Sequence, residues 1–111
     1  MLMTASKDPL AYILSRPMAD PPGTTWRYNG GTTQLLAEII KRASGKSVAE
    51  FANENIFKKL SITEYEWVQF PGTENPIAAS GLRLRPRDIL KFGILYQNKG
   101  QWKGEQVVPQ S

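Results

Sequence analysis

Apolar residues recur along this chain in blocks whose spacing predicts four helices separated by short extended segments. The clearest block is Leu35, Leu36, Ile39, Ile40 and Ala43, with Glu38, Lys41 and Arg42 largely off that face. This pattern predicts an amphipathic helix that buries the apolar stripe. Gly45 stands where a left-handed residue ends a helix. Two residues on, Ser47-Val48-Ala49-Glu50 has the spacing in which serine and glutamate cap each other's backbone, and it opens a second helix. The apolar positions there predict burial of Val48, Phe51, Ala52 and Ile56, with Lys58 and Lys59 in the last turn, where cations suit the helix dipole. Asp8-Pro9 reads as a cap followed by proline in the first turn, starting a short helix to Ser15 that Pro17 ends. Pro86 starts the fourth helix, which is expected to bury Ile89, Leu90, Phe92 and Ile94 and to stop at Gly100.

Between these helices the period changes. Asp20-Pro21-Pro22-Gly23 is a stiff turn, and Thr24 to Gly31 is irregular or extended. Tyr65 to Phe70 is rich in aromatic and β-branched residues and predicts a strand, followed by a loop from Pro71 to Pro76. Leu82 and Leu84 alternate with Arg83 and Arg85 as a short edge strand, and Gln101 to Val108 reads as a small hairpin around Lys103-Gly104. Pro109-Gln110-Ser111 reads as the first turn of another helix. The fold class expected is mainly α with short β segments, α+β, with residues 1–111 as a single partial domain.

Composition narrows the chemistry. The 111 residues are 41% hydrophobic and 22% charged, an ordinary globular balance. No apolar run reaches the roughly 20 residues that span a bilayer, so no membrane partner is expected. Met1 to Lys7 lacks the basic and apolar regions of a signal peptide. The chain has no cysteine and no histidine, which removes disulfides, thiolate nucleophiles and the commonest general base. A Ser-His-Asp triad cannot be assembled from this chain, and no metal site or cofactor is expected. The net charge of +4 allows nucleic-acid binding, but the cations are scattered singly, and the densest group, Arg83, Arg85 and Arg87, has Asp88 beside it. Nucleic acid is therefore not expected as a partner.

The strongest chemical signal is Pro22-Gly23-Thr24-Thr25-Trp26-Arg27-Tyr28-Asn29-Gly30-Gly31, running into Leu35-Leu36. It resembles the stretch around the tyrosine motif of class C β-lactamases, serine DD-peptidases and related esterases. The likeness continues through Ile39-Ile40, Ser44 to Ser47, Phe51 to Leu60, Ala79 to Leu82, Arg85 to Asp88 and Gly100 to Pro109. The resemblance implies the helical lobe of the β-lactamase/transpeptidase-like fold. In that family a serine at a helix start attacks a carbonyl, a lysine one turn later shares its proton, and a tyrosine from the helical lobe joins the network. A phenol, ordinarily near pKa 10, serves as base only where cations favour the phenolate.

By this resemblance Tyr28 is the catalytic tyrosine, and Trp26, Asn29 and Gly30 are substrate-binding positions. Gly30 falls where the family usually has asparagine, so Asn29 or a backbone group would have to replace that contact. The departure leans the expected substrate away from β-lactams and toward a small ester or amide. The Asn-Gly-Gly form is similar to the branch that includes 6-aminohexanoate-dimer hydrolases. No serine here is followed by lysine at Ser-x-x-Lys spacing, and neither Lys-Thr-Gly nor His-x-Gly occurs. The isolated chain is therefore expected to be an inactive fragment of a serine hydrolase, the nucleophile-bearing and sheet parts lying elsewhere. The resemblance implies a bacterial periplasmic or secreted location.

Plainer readings stand beside these. Tyr28 could be a half-buried loop aromatic whose hydroxyl caps the next helix. Trp26, Trp67 and Trp102 read as packing residues, with Trp26 alternatively walling a cleft. Glu64 and Glu66 read as a solvated strand face, and Asp88 as a charge complementing a helix start. The whole lobe could instead be an interaction module. Deprived of the sheet part, it is expected to pair with itself as a homo-oligomer.

Overall fold

The computed structural model describes residues 2–110. Ser111 lies outside the described residues, so the helical turn expected at Pro109–Ser111 cannot be followed to its end; Pro109 and Gln110 are not helical. A 3-10 turn at Leu2–Ala5 precedes α1, Pro9–Leu14. α2 spans Gly30–Ser44, and α3, Val48–Ala52, runs directly into a π turn at Asn53–Phe57. β1, Tyr65–Trp67, pairs antiparallel with β2, Leu82–Leu84, with Glu66 opposite Arg83. α4 spans Pro86–Gln97 and leads to a hairpin of β3, Gln101–Trp102, and β4, Glu105–Gln106. The α+β class read from the pattern is the fold observed.

The capping chemistry is local and decides most boundaries. Asp8 accepts a hydrogen bond from the Ala11 amide at 3.0 Å, with Pro9 beginning α1. The Ser47 hydroxyl accepts from the Glu50 amide, and the Glu50 carboxylate accepts from the Ser47 amide, satisfying two donors that a helix start leaves free. That hydrogen bond to the Ser47 backbone lowers the pKa of Glu50. Gly45 takes φ 73°, closing α2. Gly100 at φ 82° ends the α4 segment, and its carbonyl accepts from both Val107 and Val108 amides. A Cβ there would lie 2.0 Å from the Val108 carbonyl oxygen, so no other residue fits without moving the hairpin.

The main core forms where the π turn meets α4 and both small sheets. Phe57, Leu60, Ile62 and Leu95 are buried, with Tyr65, Trp67, Leu84, Phe92 and Trp102 packed against them. The Phe57 ring lies 4.7 Å from that of Tyr65 and edge-on to Phe92 at 6.2 Å. Gln34, buried in α2, donates to the Pro76 carbonyl and accepts from the Ala78 amide, tying that helix to the loop between β1 and β2 with its polar atoms satisfied.

The expected buried faces are only partly correct. Leu36 and Ile39 on α2 are exposed, as are Ala43, Phe51, Ile89, Leu90 and Ile94. α2 packs on α1 and α3 through its opposite side, around Gly31, Gln34 and Ala37. The expected faces are split: Leu36, Ile39, Ile89, Leu90 and Ile94 are left uncovered, whereas Leu35, Ile40 and Val48 are partly buried and Ala52, Ile56 and Phe92 pack against the core. Trp67 and Trp102 do pack, but Trp26 does not: it is 83% exposed. The radius of gyration agrees with this incomplete coverage. It is 15.7 Å, against about 13 Å for a compact domain of this length.

Asp88 does more than complement a helix start. It is buried in the first turn of α4, with Lys91 Nζ 2.7 Å away and Arg85 Nε at 3.3 Å. The Lys91 hydrogen bond is the chief cause holding its carboxyl below the usual range, with Arg85 adding to it and desolvation opposing. A folded-state pKa below the unfolded one stabilises above the unfolded value, near 3.9, and that contribution disappears as pH falls through the folded value. Asp88→Asn should therefore be less stable than the parent at pH 7, and the gap should narrow below about pH 4, as read by urea denaturation across that range. Arg83 pairs with Glu66 and Arg85 also with Glu64, so the two glutamates do form a solvated, ion-paired face.

Candidate active site

The segment that carries Tyr28 is held from both ends. Pro21 and Pro22 restrict φ, and Gly23 turns the chain at φ 79°. The Thr24 hydroxyl donates to the Pro21 carbonyl at 2.7 Å. Arg27 closes the loop by donating to both carboxylate oxygens of Asp20, through Nε at 2.5 Å and Nη2 at 3.3 Å. The Asp20 hydrogen bond raises the Arg27 pKa. At the other end Asn29 caps α2: its Oδ1 accepts from the Gly31 amide at 2.8 Å. Tyr28 sits between the Arg27 clamp and the Asn29 cap.

Tyr28 is 87% exposed. Among the described residues no side chain hydrogen-bonds its hydroxyl, and the following helix is capped by Asn29 instead. The plainer reading of Tyr28 as a half-buried capping residue is thus replaced by a phenol presented to solvent at the head of a 15-residue helix. Trp26, two residues earlier, is presented in the same open way. Asn29 has its oxygen engaged by Gly31, which leaves its amide nitrogen as the atom able to reach an incoming molecule. Gly30, the first residue of α2, offers backbone only. A Cβ on Gly31 would come 3.0 Å from Asn29 Oδ1 and 3.3 Å from Ile13, so a larger residue there would push on the cap and on α1. This close approach seats α1 against the head of α2.

A shallow hollow of about 330 Å³ is lined here by Met3, Tyr12, Ile13 and Arg16 together with Tyr28, Asn29, Gly30 and Gly31. Tyr12 and Arg16 escape notice in the sequence. The available signal is their spacing of four residues, which lets a cation reach back over an aromatic ring. The Arg16 guanidinium carbon lies 4.5 Å from the Tyr12 ring centroid. Among the described residues no group of three or more His, Cys, Asp or Glu side chains is placed to hold a metal ion, and no helix is long and apolar enough to cross a membrane.

The lobe is rich in helix, and the β-lactamase family model matches residues 2–109. The chain belongs to the β-lactamase family of hydrolases. Its relatives include a lovastatin esterase of Penicillium rubens, 31% identical over 76 residues, 68% of this chain and 18% of the esterase. An uncharacterized protein of Alkalihalophilus pseudofirmus is 28% identical over 105 residues, 78% of this chain and 31% of that protein. Among solved structures, a Bacillus anthracis protein assigned as a 6-aminohexanoate-dimer hydrolase superposes with a TM-score of 0.82 at 35% identity. That match takes in 89% of this chain and 26% of the other. The chain thus spans less than a third of the length of each of these relatives.

Proposed function

We propose that this lobe supplies the catalytic tyrosine, Tyr28, to a serine hydrolase that cleaves amide or ester bonds by a Ser-Lys-Tyr mechanism. The observation that carries the reading is the exposed phenol held between the Asp20–Arg27 clamp and the Asn29 cap. In the mechanism, the serine oxygen bonds to the acyl carbon while its proton passes to the phenolate of Tyr28, and the lysine's charge favours that phenolate. Collapse of the tetrahedral adduct breaks the bond to the leaving group, which takes the proton back from Tyr28. Water then repeats the sequence to release the acid. Asn29, through its free amide nitrogen, and Trp26 border the acyl group, and Gly30 leaves room where the family usually has a side chain. The esterase and hydrolase names among the relatives support acyl hydrolysis of a small molecule.

This chain contains no Ser-x-x-Lys pair, so by itself it has a proton relay and nothing to activate. Incubated with short-chain p-nitrophenyl esters or a chromogenic cephalosporin, it should give no turnover above buffer. A polypeptide carrying the same lobe together with a Ser-x-x-Lys segment should turn over at least one of them. Turnover by the isolated chain that Tyr28→Phe abolishes would overthrow this account.

The uncovered stripes on α2 and α4 support a second proposal, that isolated copies associate. Leu36, Ile39, Ile89 and Leu90 are each more than half exposed, and contiguous apolar patches beyond a few hundred Å² usually find a partner. Sedimentation at increasing concentration should show a dimer or larger species. A monomer at high micromolar concentration that binds no hydrophobic dye would end this proposal.

A further inference from the structure

We propose that Asn29–Gly30 is a self-modification site, at which the Gly30 backbone nitrogen displaces the Asn29 side-chain amide, and that the capping hydrogen bond at the head of α2 sets its rate. The modification stands on the local chemistry alone. Its effect on the site rests on the reading of Tyr28 as catalytic.

The step needs no partner but water. The Gly30 nitrogen, giving up its proton to solvent, bonds to Asn29 Cγ, and the Cγ–Nδ2 bond breaks as ammonia leaves. The result is a cyclic imide linking the two residues. Water then opens the imide on either side. Breaking the new bond to Cγ leaves aspartate at this position; breaking the old peptide bond leaves an isoaspartyl link that runs the main chain through the side chain. The net change in either case is water taken up and ammonia released.

Several features favour this pair. It is the only Asn-Gly in the chain, and glycine has no Cβ to crowd the attacking nitrogen. Gly30 is the first residue of α2, and among the described residues its N–H makes no hydrogen bond that attack would have to break. The other asparagines are placed differently. Asn53, Asn55 and Asn98 precede Glu54, Ile56 and Lys99, whose side chains stand beside the nitrogen, and Asn75 precedes Pro76, which has no N–H. Asn29 is exposed, and from Leu14 to Asn29 only Asp20 is not. The geometry of the cap opposes the step. At ψ 110° the Gly30 nitrogen is turned away from the Asn29 side chain, whose Oδ1 accepts from the Gly31 amide at 2.8 Å. Closure of the ring therefore waits for the cap to open and the Cα–C bond to turn. A capping bond favours the closed form by a factor of about five, and the exposed loop before it has little packing to resist the turn.

Both products put a carboxylate beside Tyr28. Aspartate keeps the cap and suits the helix dipole, so α2 persists while a negative charge opposes a phenolate next to it. The isoaspartyl link also places one more main-chain atom between Tyr28 and α2. The site thus carries its own one-way switch-off, driven by time and alkalinity.

The test incubates the full chain in mildly alkaline buffer, native and in urea, and follows each asparagine by peptide mass mapping, with ammonia release and isoaspartyl methyltransferase labelling alongside. In the native chain Asn29 should convert faster than Asn53, Asn55, Asn75 and Asn98, and in urea about fivefold faster still. Gly30→Ala should lose most of the conversion, and Asn29→Ser, which keeps a capping hydroxyl, all of it. Native conversion at Asn29 no faster than at the other asparagines would overturn the site, as would undiminished conversion in Gly30→Ala. Equal rates in the native chain and in urea would remove the cap from control of the rate. In a longer polypeptide carrying a Ser-x-x-Lys segment, turnover should fall in step with conversion, and full turnover after complete conversion would overturn the switch-off. The incubation itself involves no turnover, so its failure leaves the role of Tyr28 standing. That role fails by a separate measurement, an undiminished kcat in Tyr28→Phe.

Discussion

Tyr28→Phe, made in a polypeptide that joins this lobe to a Ser-x-x-Lys segment, is expected to lower kcat by on the order of 10²-fold or more while leaving KM nearly unchanged. The expectation follows from what the substitution removes. Phenylalanine keeps the ring, and Tyr28 is so exposed that little packing depends on it. The hydroxyl is bonded to no side chain among the described residues, so its loss leaves no buried donor or acceptor unsatisfied. Folding should therefore be nearly indifferent, and the whole effect should appear in the step where a proton moves. An interaction made only in the transition state lowers kcat and kcat/KM together. Steady-state kinetics on a p-nitrophenyl ester, with circular dichroism to compare folds, provide the measurement. A near-normal kcat would reduce Tyr28 to an exposed aromatic with no part in the chemistry.

Phe57→Ala should destabilise the chain by about 3–5 kcal/mol, the usual cost of emptying a buried aromatic site. Phe57 is 2% exposed and touches Tyr65, Trp67 and Phe92 through its ring. The collapse that could soften the loss is limited, because these neighbours belong to β1 and α4 and are held by their own backbone pairing. Phe51→Ala is the companion measurement. Phe51 is 37% exposed, and its removal should cost less, about 1–2 kcal/mol, because its site is partly open to water. Urea denaturation of the two variants separates them. Similar losses would place the core elsewhere than around Phe57.

The contrast between these phenylalanines shows what the residue pattern could and could not tell. Helical spacing from Val48 points to Phe51, Ala52 and Ile56 as the buried face and passes over Phe57. The Lys58 amide bonds to the Asn53 carbonyl, five residues back, and that π turn shifts the register after the face has been read. Helix boundaries were legible because Asp8, Ser47, Gly45 and Pro86 act within one turn of themselves. The orientation of α2 and α4 was not. Periodicity identifies the stripe that needs cover, but Leu36, Ile39, Ile89 and Leu90 await a surface that residues 2–110 do not provide. The candidate site divides the same way. Tyr28, Asn29 and Gly30 stand together in the sequence and could be picked out there. Tyr12 and Arg16 line the same hollow through the packing of α1 on α2, where Ile13 lies beside Gly31, a contact that no local pattern encodes.

The π turn has a consequence for how this segment can change in length. One residue added to an α-helix turns everything after it by about 100° around the axis. Between Asn53 and Phe57 that extra rotation is what carries Phe57 inward, while Leu60 and Ile62 follow in the adjoining turn. Losing a single residue before Phe57 would restore the ordinary ladder and bring the aromatic ring to the core one place earlier in the count from Val48. A homologue one residue shorter in this stretch should therefore carry its large apolar side chain one place earlier, at the position of Ile56. Insertions and deletions in this part of the family are then coupled to the placement of one bulky residue, and an alignment that slides a gap freely through Asn53–Phe57 would hide the coupling.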